Sequence, residues 1–176
     1  MIVPRKGVIE LARILAAEGG DIRLSLGENY VRVEAPDFLY LSKLIEGAYP
    51  DYERVIPRDL PRYLVVEREP FRQALSRAAI LTNEKFKGIR LNIERDRLRI
   101  LANNPEQEEA EEELSVEYSA EGALEIGFNV TYLLDVLGVI EGSRVRMEFR
   151  DAGQSVLLVD PEQAEAMRHV VMPMRL

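Results

Sequence analysis

The chain has 176 residues, of which 47% are hydrophobic and 31% charged, with a formal net charge of −8 and no cysteine. That composition fits a globular protein of one ordinary domain or two small ones, and it excludes disulfides, thiolate metal sites and thiol catalysis. No apolar run reaches membrane-span length and MIVPRKG lacks the apolar core of a signal peptide, so the expected location is the cytoplasm.

In chain order, Ile2-Val3-Pro4 predicts a short strand, and KGVIELARILAAEGG a helix. Val8, Leu11, Ile14 and Leu15 share one side of it, with Gly19-Gly20 as the stop. DIRLSLG and NYVRVEA alternate as a hairpin about Gly27-Glu28-Asn29, and DFLYLSKLIEG adds a strand. YPDYERVIPRDLPRY, rich in proline, reads as an interdomain link.

The arrangement then repeats. YLVVER is a strand, and EPFRQALSRAAILTNEKF a helix burying Phe71, Ala74, Leu75, Ala78 and Leu81. GIRLNIERDRLRILANN is a hairpin turning at Arg95-Asp96, and ELSVEYS a third strand. A third copy follows: strand ALEIGF, helix VTYLLDVLGVIEG, a hairpin of SRVRMEF and SVLLVD about Asp151-Ala152-Gly153, and a closing HVVMPMRL. Helix starts near Lys6, Pro70 and Val130 give a period of roughly sixty residues, the mark of duplicated units. Copies two and three make one complete domain. The first copy lacks a mate, which suggests a chain that begins partway through a domain.

Between the hairpin and the third strand of copy two lies an acidic run. Six of the eight residues Glu106 to Glu113 are glutamate; without them 25 acids face 23 bases, so the acidity is local. The run lacks the spacing and central glycine of a calcium loop and reads as a solvated or partner-facing surface. His169 is the single histidine, so transition-metal ligation has no partners, and a structural or surface role fits it best. No phosphate loop, dinucleotide fingerprint or nucleophile elbow occurs, and no cofactor is implied. Enzymatic chemistry is therefore disfavoured; an acidic hydrolase would require raised-pKa carboxylates in a cleft.

Two features remain. Arg5, Lys6 and Arg13 share the outward face of the first helix with Glu10, which is either solvated surface or a DNA contact. The chain also ends in VVMPMRL, an apolar run where termini are usually polar. It is either a closing edge strand that tolerates Pro173 or the wall of a methionine-lined groove for varied peptides.

The blocks IVPRKGVIEL, SKLIEG-x-YPDYERVIP, RAAILTNEKFKGIRL, ANNPEQEEAEE, EIGFNVTYLLDVL and VVMPMRL together resemble the bacterial sliding clamps, the beta subunit of DNA polymerase III. The match runs the whole chain in order and corresponds to roughly the C-terminal half of the family's chain. It implies an α+β DNA-clamp fold of strand–helix–strand units, with antiparallel sheets outside and helices lining a channel. One and a half clamp domains are expected: residues 1–60 as the second half of the middle domain plus the link, and 61–176 as the complete C-terminal domain.

The resemblance implies a non-catalytic processivity factor, a ring around duplex DNA that serves a separate polymerase catalytic subunit. The clamp loader and other clamp-binding-motif proteins are its further partners, and full-length members form a homodimer. Arg5, Lys6 and Arg13 would then contact DNA. A peptide pocket between the last two domains would comprise Pro50, Arg54, Val55, Phe86, Asn129 and Tyr132 together with Ser155, Val170, Met172, Pro173, Met174 and Arg175. Glu106, Glu108, Glu109, Glu111 and Glu112 would form the electrostatic part of the subunit interface, with Ile80 and Leu81 its apolar part. The alternative is a shortened clamp that binds peptides without encircling DNA.

Overall fold

In the computed structural model, which describes residues 1–17, 20–165 and 167–175, the chain divides into two compact units, Met1–Asp51 and Tyr52–Leu176. Residues 52–60, read from sequence as part of the link, count with the second unit.

The first unit contains helix α1 (Arg5–Ala17) and strands β1 (Arg23–Leu26), β2 (Tyr30–Ala35) and β3 (Phe38–Lys43), in a three-stranded antiparallel sheet of order β1-β2-β3. Val33 lies opposite both Leu24 and Tyr40, and Val31 opposite Leu26 and Ser42, so these residues share one face. Val31, Val33 and Leu44 are buried, with Val3, Leu11, Phe38 and Tyr40 packed on them. Gly7 sets how close the helix comes: a Cβ there would lie 2.6 Å from the Tyr40 hydroxyl and 3.0 Å from Ser42 Oγ. Gly7, Leu11, Ile14 and Leu15 are the half-buried helix positions. Val8, expected among them, is 50% exposed because it lies on the flank of that stripe, not its centre. The first predicted strand is only a bridge, Ile2 to Ile45. Gly19 of the expected helix stop lies outside the described residues.

The second unit has strands β4 (Arg62–Glu67), β5 (Gly88–Glu94), β6 (Arg97–Asn103), β7 (Glu109–Ser115), β8 (Glu117–Tyr118), β9 (Leu124–Asn129), β10 (Arg144–Phe149), β11 (Val156–Val159) and β12 (His169–Val171). Its helices are α2 (Arg68–Ala78) and α3 (Val130–Val139). The strands form two antiparallel sheets, β12-β11-β10-β4-β8 and β7-β6-β5-β9. Each repeat lends its leading strand to the other repeat's sheet: β4 pairs with β10, and β9 with β5. Phe71, Leu75, Phe128, Leu133, Leu137, Phe149 and the inward residues of both sheets form one core. Its alternation is strict in β5 and β6, where Ile89, Leu91, Ile93, Leu98, Ile100 and Ala102 are buried.

Three element boundaries differ from the periodic reading. The second helix ends at Ala78 and passes through a 3₁₀ turn, Ala79–Leu81, where a helix to Phe86 was expected. Local polar bonds stop it. Thr82 Oγ1 donates to the Ala79 carbonyl at 2.8 Å, and Asn83 Oδ1 accepts from the Lys85 and Phe86 amides. Leu81, expected in the core, is only half-buried there. The third helix ends at Val139, since Ile140 is extended, rather than at Gly142. The acidic run is itself strand: β7 begins at Glu109 instead of Glu113 and lies at the edge of its sheet.

Candidate functional site

On α1, Arg5, Lys6 and Arg13 are all exposed, away from the half-buried stripe of Gly7, Leu11 and Ile14. Lys6 and Arg13 are seven residues apart and so share a face. Arg5 and Lys6 occupy the first helical turn, where cations oppose the helix dipole; helix stability does not explain them. Arg13 is tied to Glu10 one turn back, with the two side chains 75% and 48% exposed. That hydrogen bond pulls the Glu10 carboxyl below its ordinary range and raises Arg13.

Of the expected docking residues, Pro50 falls in the first unit and the other eleven in the second. Arg54 closes a 3₁₀ turn at Tyr52–Arg54, with Val55 exposed just after it. The C-terminal tail connects both sheets. Val170 and Val171 pair with Leu157 and Val156 in β11, and three residues later the Met174 amide donates to Gly127 O of β9 at 2.9 Å. Ser155 Oγ meets Met172 Sδ at 2.8 Å. Asn129 holds two elements at once, its Oδ1 capping α3 through the Thr131 amide and its Nδ2 donating to Phe86 O. Backbone and caps are thus satisfied while apolar side chains stay outside. Phe86 and Tyr132 are each 56% exposed, and Met172 is 62% exposed. Met174 and Pro173 are half-buried, and Met174 lines a groove of about 470 Å³ together with Phe86 and Arg175. The tail thus exposes Met172 on bonded backbone, and Met174 meets Phe86 at the groove.

The acidic run is sorted by the strand period. Glu109, Glu111 and Glu113 point one way, whereas Ala110, Glu112 and Leu114 point toward the helix side. Glu112 is accommodated there by Arg77 on α2, whose Nε and Nη2 each donate to its carboxylate at 2.7 Å. Those bonds hold the Glu112 carboxyl below its ordinary range. Arg99 and Arg97 approach Glu111 and Glu113 at 3.9 and 3.7 Å. Glu108 is bound to Asn104, which donates to its carboxylate and accepts from its amide. Nearby Ile80 is 78% exposed and, with Pro105 and Glu106, lines a concavity of about 460 Å³. Sequence reading missed Arg77, 35 positions from its partner, because no periodicity links a helix arginine to a distant edge strand.

Among the described residues no three His, Asp or Glu side chains cluster as metal ligands, and no helix is long and apolar enough to cross a membrane. His169 is half-buried, and burial pushes its imidazole down in pKa.

Residues 53–175 match the DNA polymerase III beta subunit, C-terminal domain, and residues 1–51 its central domain. The chain belongs to the DNA polymerase III beta subunit family. It is 51% identical over 176 residues to the beta sliding clamp of Pseudomonas aeruginosa, covering 100% of this chain and 47% of that one. Identity to the Escherichia coli K12 beta sliding clamp is 50% over 178 residues, covering 100% of this chain and 48% of the relative. The crystal structure of the P. aeruginosa DNA polymerase III subunit beta superposes with a TM-score of 0.89, covering 99% of this chain and 47% of that chain. The fold is thus the α+β clamp fold, and this chain spans about half the length of the sliding clamps it matches.

Proposed function

We propose that this chain supplies the partner-docking part of a replication processivity ring. It works as the C-terminal portion of a clamp that encircles duplex DNA, while polymerisation is carried out by a separate catalytic subunit. The observation that carries this reading is the tail. Met172, Phe86 and Tyr132 expose apolar surface beside a backbone fixed by Val170, Val171 and Met174, in a chain whose whole length matches sliding clamps. Such a surface suits short apolar motifs of the polymerase, the clamp loader and other clamp-binding proteins. Arg5, Lys6 and Arg13 are the candidate DNA contacts. A few exchangeable phosphate contacts favour sliding over adhesion, which is compatible with a net charge of −8. Ile80 and the outward glutamates Glu106, Glu109 and Glu111 suit a basic partner surface at a subunit interface, where charge pairs set register.

A second reading is a peptide-binding module that does not encircle DNA. Eleven of the twelve docking residues lie in the second unit alone, which favours it. Analytical ultracentrifugation combined with retention on circular DNA separates the two. A ring that stays on circles and slides off linear duplexes supports encirclement. A monomer that binds apolar peptide and ignores circles supports the module.

A further inference from the structure

The outward face of sheet β7-β6-β5-β9 carries arginines and glutamates in ion-paired rows. Arg97 is bound to Glu94 and lies near Glu113, and Arg99 is paired with Glu94 and lies near Glu111. Arg90 breaks this pattern. Its register partners are Leu101 on β6 and Gly127 on β9, and among the described residues no carboxylate forms an ion pair with it. It opens instead into the 470 Å³ groove, where Arg175 is the second cation and Phe86, Pro105 and Met174 are the apolar walls. Gly88 and Asn103 also line it. Phe86, Met174 and Arg175 belong also to the docking residues, so groove and docking surface are continuous.

Two exposed guanidiniums beside apolar walls select an anion carried on an apolar chain, because a guanidinium presents paired donors in the geometry of a carboxylate. A polyanion is disfavoured: in the adjoining concavity Glu84 and Glu106 outnumber Lys85, and the protein as a whole is acidic. We propose that this groove receives an aspartate or glutamate flanking the apolar core of a docking peptide, with Arg90 and Arg175 as its contacts. The inference rests on the docking reading above and adds a charge preference to it.

The test compares two short fluorescein-labelled peptides with the same Leu-Leu-Phe core, one flanked on both sides by glutamate and the other by glutamine. The expected result at low salt is roughly fivefold tighter binding of the glutamate peptide, an advantage that shrinks as salt rises. Arg90→Gln should erase that advantage and leave the glutamine peptide's affinity unchanged, and Arg90→Lys should retain part of it. Arg90 is exposed on a sheet face, and a thermal melt of each variant checks that the fold persists. Equal affinity for both peptides in the unaltered protein overturns the inference, as does Arg90→Gln weakening both alike. So does a single-stranded oligothymidylate that displaces the glutamate peptide in an Arg90-dependent way. If neither peptide binds, the docking reading itself fails and takes the inference with it.

Discussion

Arg77 on α2 clasps Glu112 on edge strand β7 through two parallel hydrogen bonds of 2.7 Å, each guanidinium nitrogen facing one carboxylate oxygen. This fork turns the one inward-facing glutamate of the acidic run into a tie between helix and sheet. The remaining glutamates of the run are exposed to solvent.

Neutralising Glu112 should therefore act on the fold, whereas neutralising Glu109 should not. Glu112→Gln and Arg77→Gln are each expected to lower the thermal midpoint of the second unit, and the double variant should cost less than the sum of the two. Glu109→Gln should leave the midpoint in place. Calorimetry of these four variants beside the unaltered protein checks this, and strict additivity would show that the pair does not couple.

Acid should weaken the second unit in a defined window. Hydrogen bonds from Arg72 and Gln73 hold the Glu69 carboxyl down to about 2, against an ordinary value of 4.5. Glu94 and Glu112 are lowered through Arg97 and Arg77. A lowered carboxyl means that the unfolded chain binds protons first. The stabilisation is thus complete above about pH 4.5 and is lost as the pH falls towards 2. His169, lowered by burial, adds a loss of the same sign at higher pH. Urea midpoints measured across this range should fall on acidification, and Glu69→Gln should flatten the slope.

Gly7→Ala tests whether packing or helix propensity governs α1. Alanine within an exposed helix is better than glycine by about 1 kcal/mol. Here its Cβ would press within 2.6 Å of the Tyr40 hydroxyl, so the sign should reverse. Hydrogen exchange should quicken in β2 and β3 while the second unit keeps its protection. A stabilised first unit would refute the close approach.

Removing residues 174–176 takes away a groove wall and the amide that donates to Gly127. Binding of an apolar clamp-docking peptide should weaken tenfold or more, about 1.4 kcal/mol, without loss of the core. Isothermal titration of the shortened chain measures it, and undiminished affinity in a folded protein removes the tail from the docking surface.

The repeats, the helix starts and the two hairpin turns at Arg95-Asp96 and Asp151-Gly153 were legible in the sequence because each follows from side-chain period and turn chemistry. Helix ends were not. Phe86 continues an apolar pattern, but Asn83 and Thr82 satisfy backbone groups locally and stop the helix first. The acidic strand was hidden for another reason: Glu112 interrupts the alternation of Ala110 and Leu114, and its compensation comes from Arg77 on another element. The docking residues were suggested by family resemblance, not by periodicity. Arg90 attracted no notice because one arginine in a strand says nothing of an unfilled partner position.

The crossed placement of β4 and β9 has one more consequence. Each ladder contains a rung-bearing member from the opposite repeat, so peeling one ladder apart must break the other, and the second unit should melt in a single step. The tail is anchored to β11 on one side and β9 on the other. Exposed Met172 lies between these two attachments, so loosening either β9 or β11 should displace it.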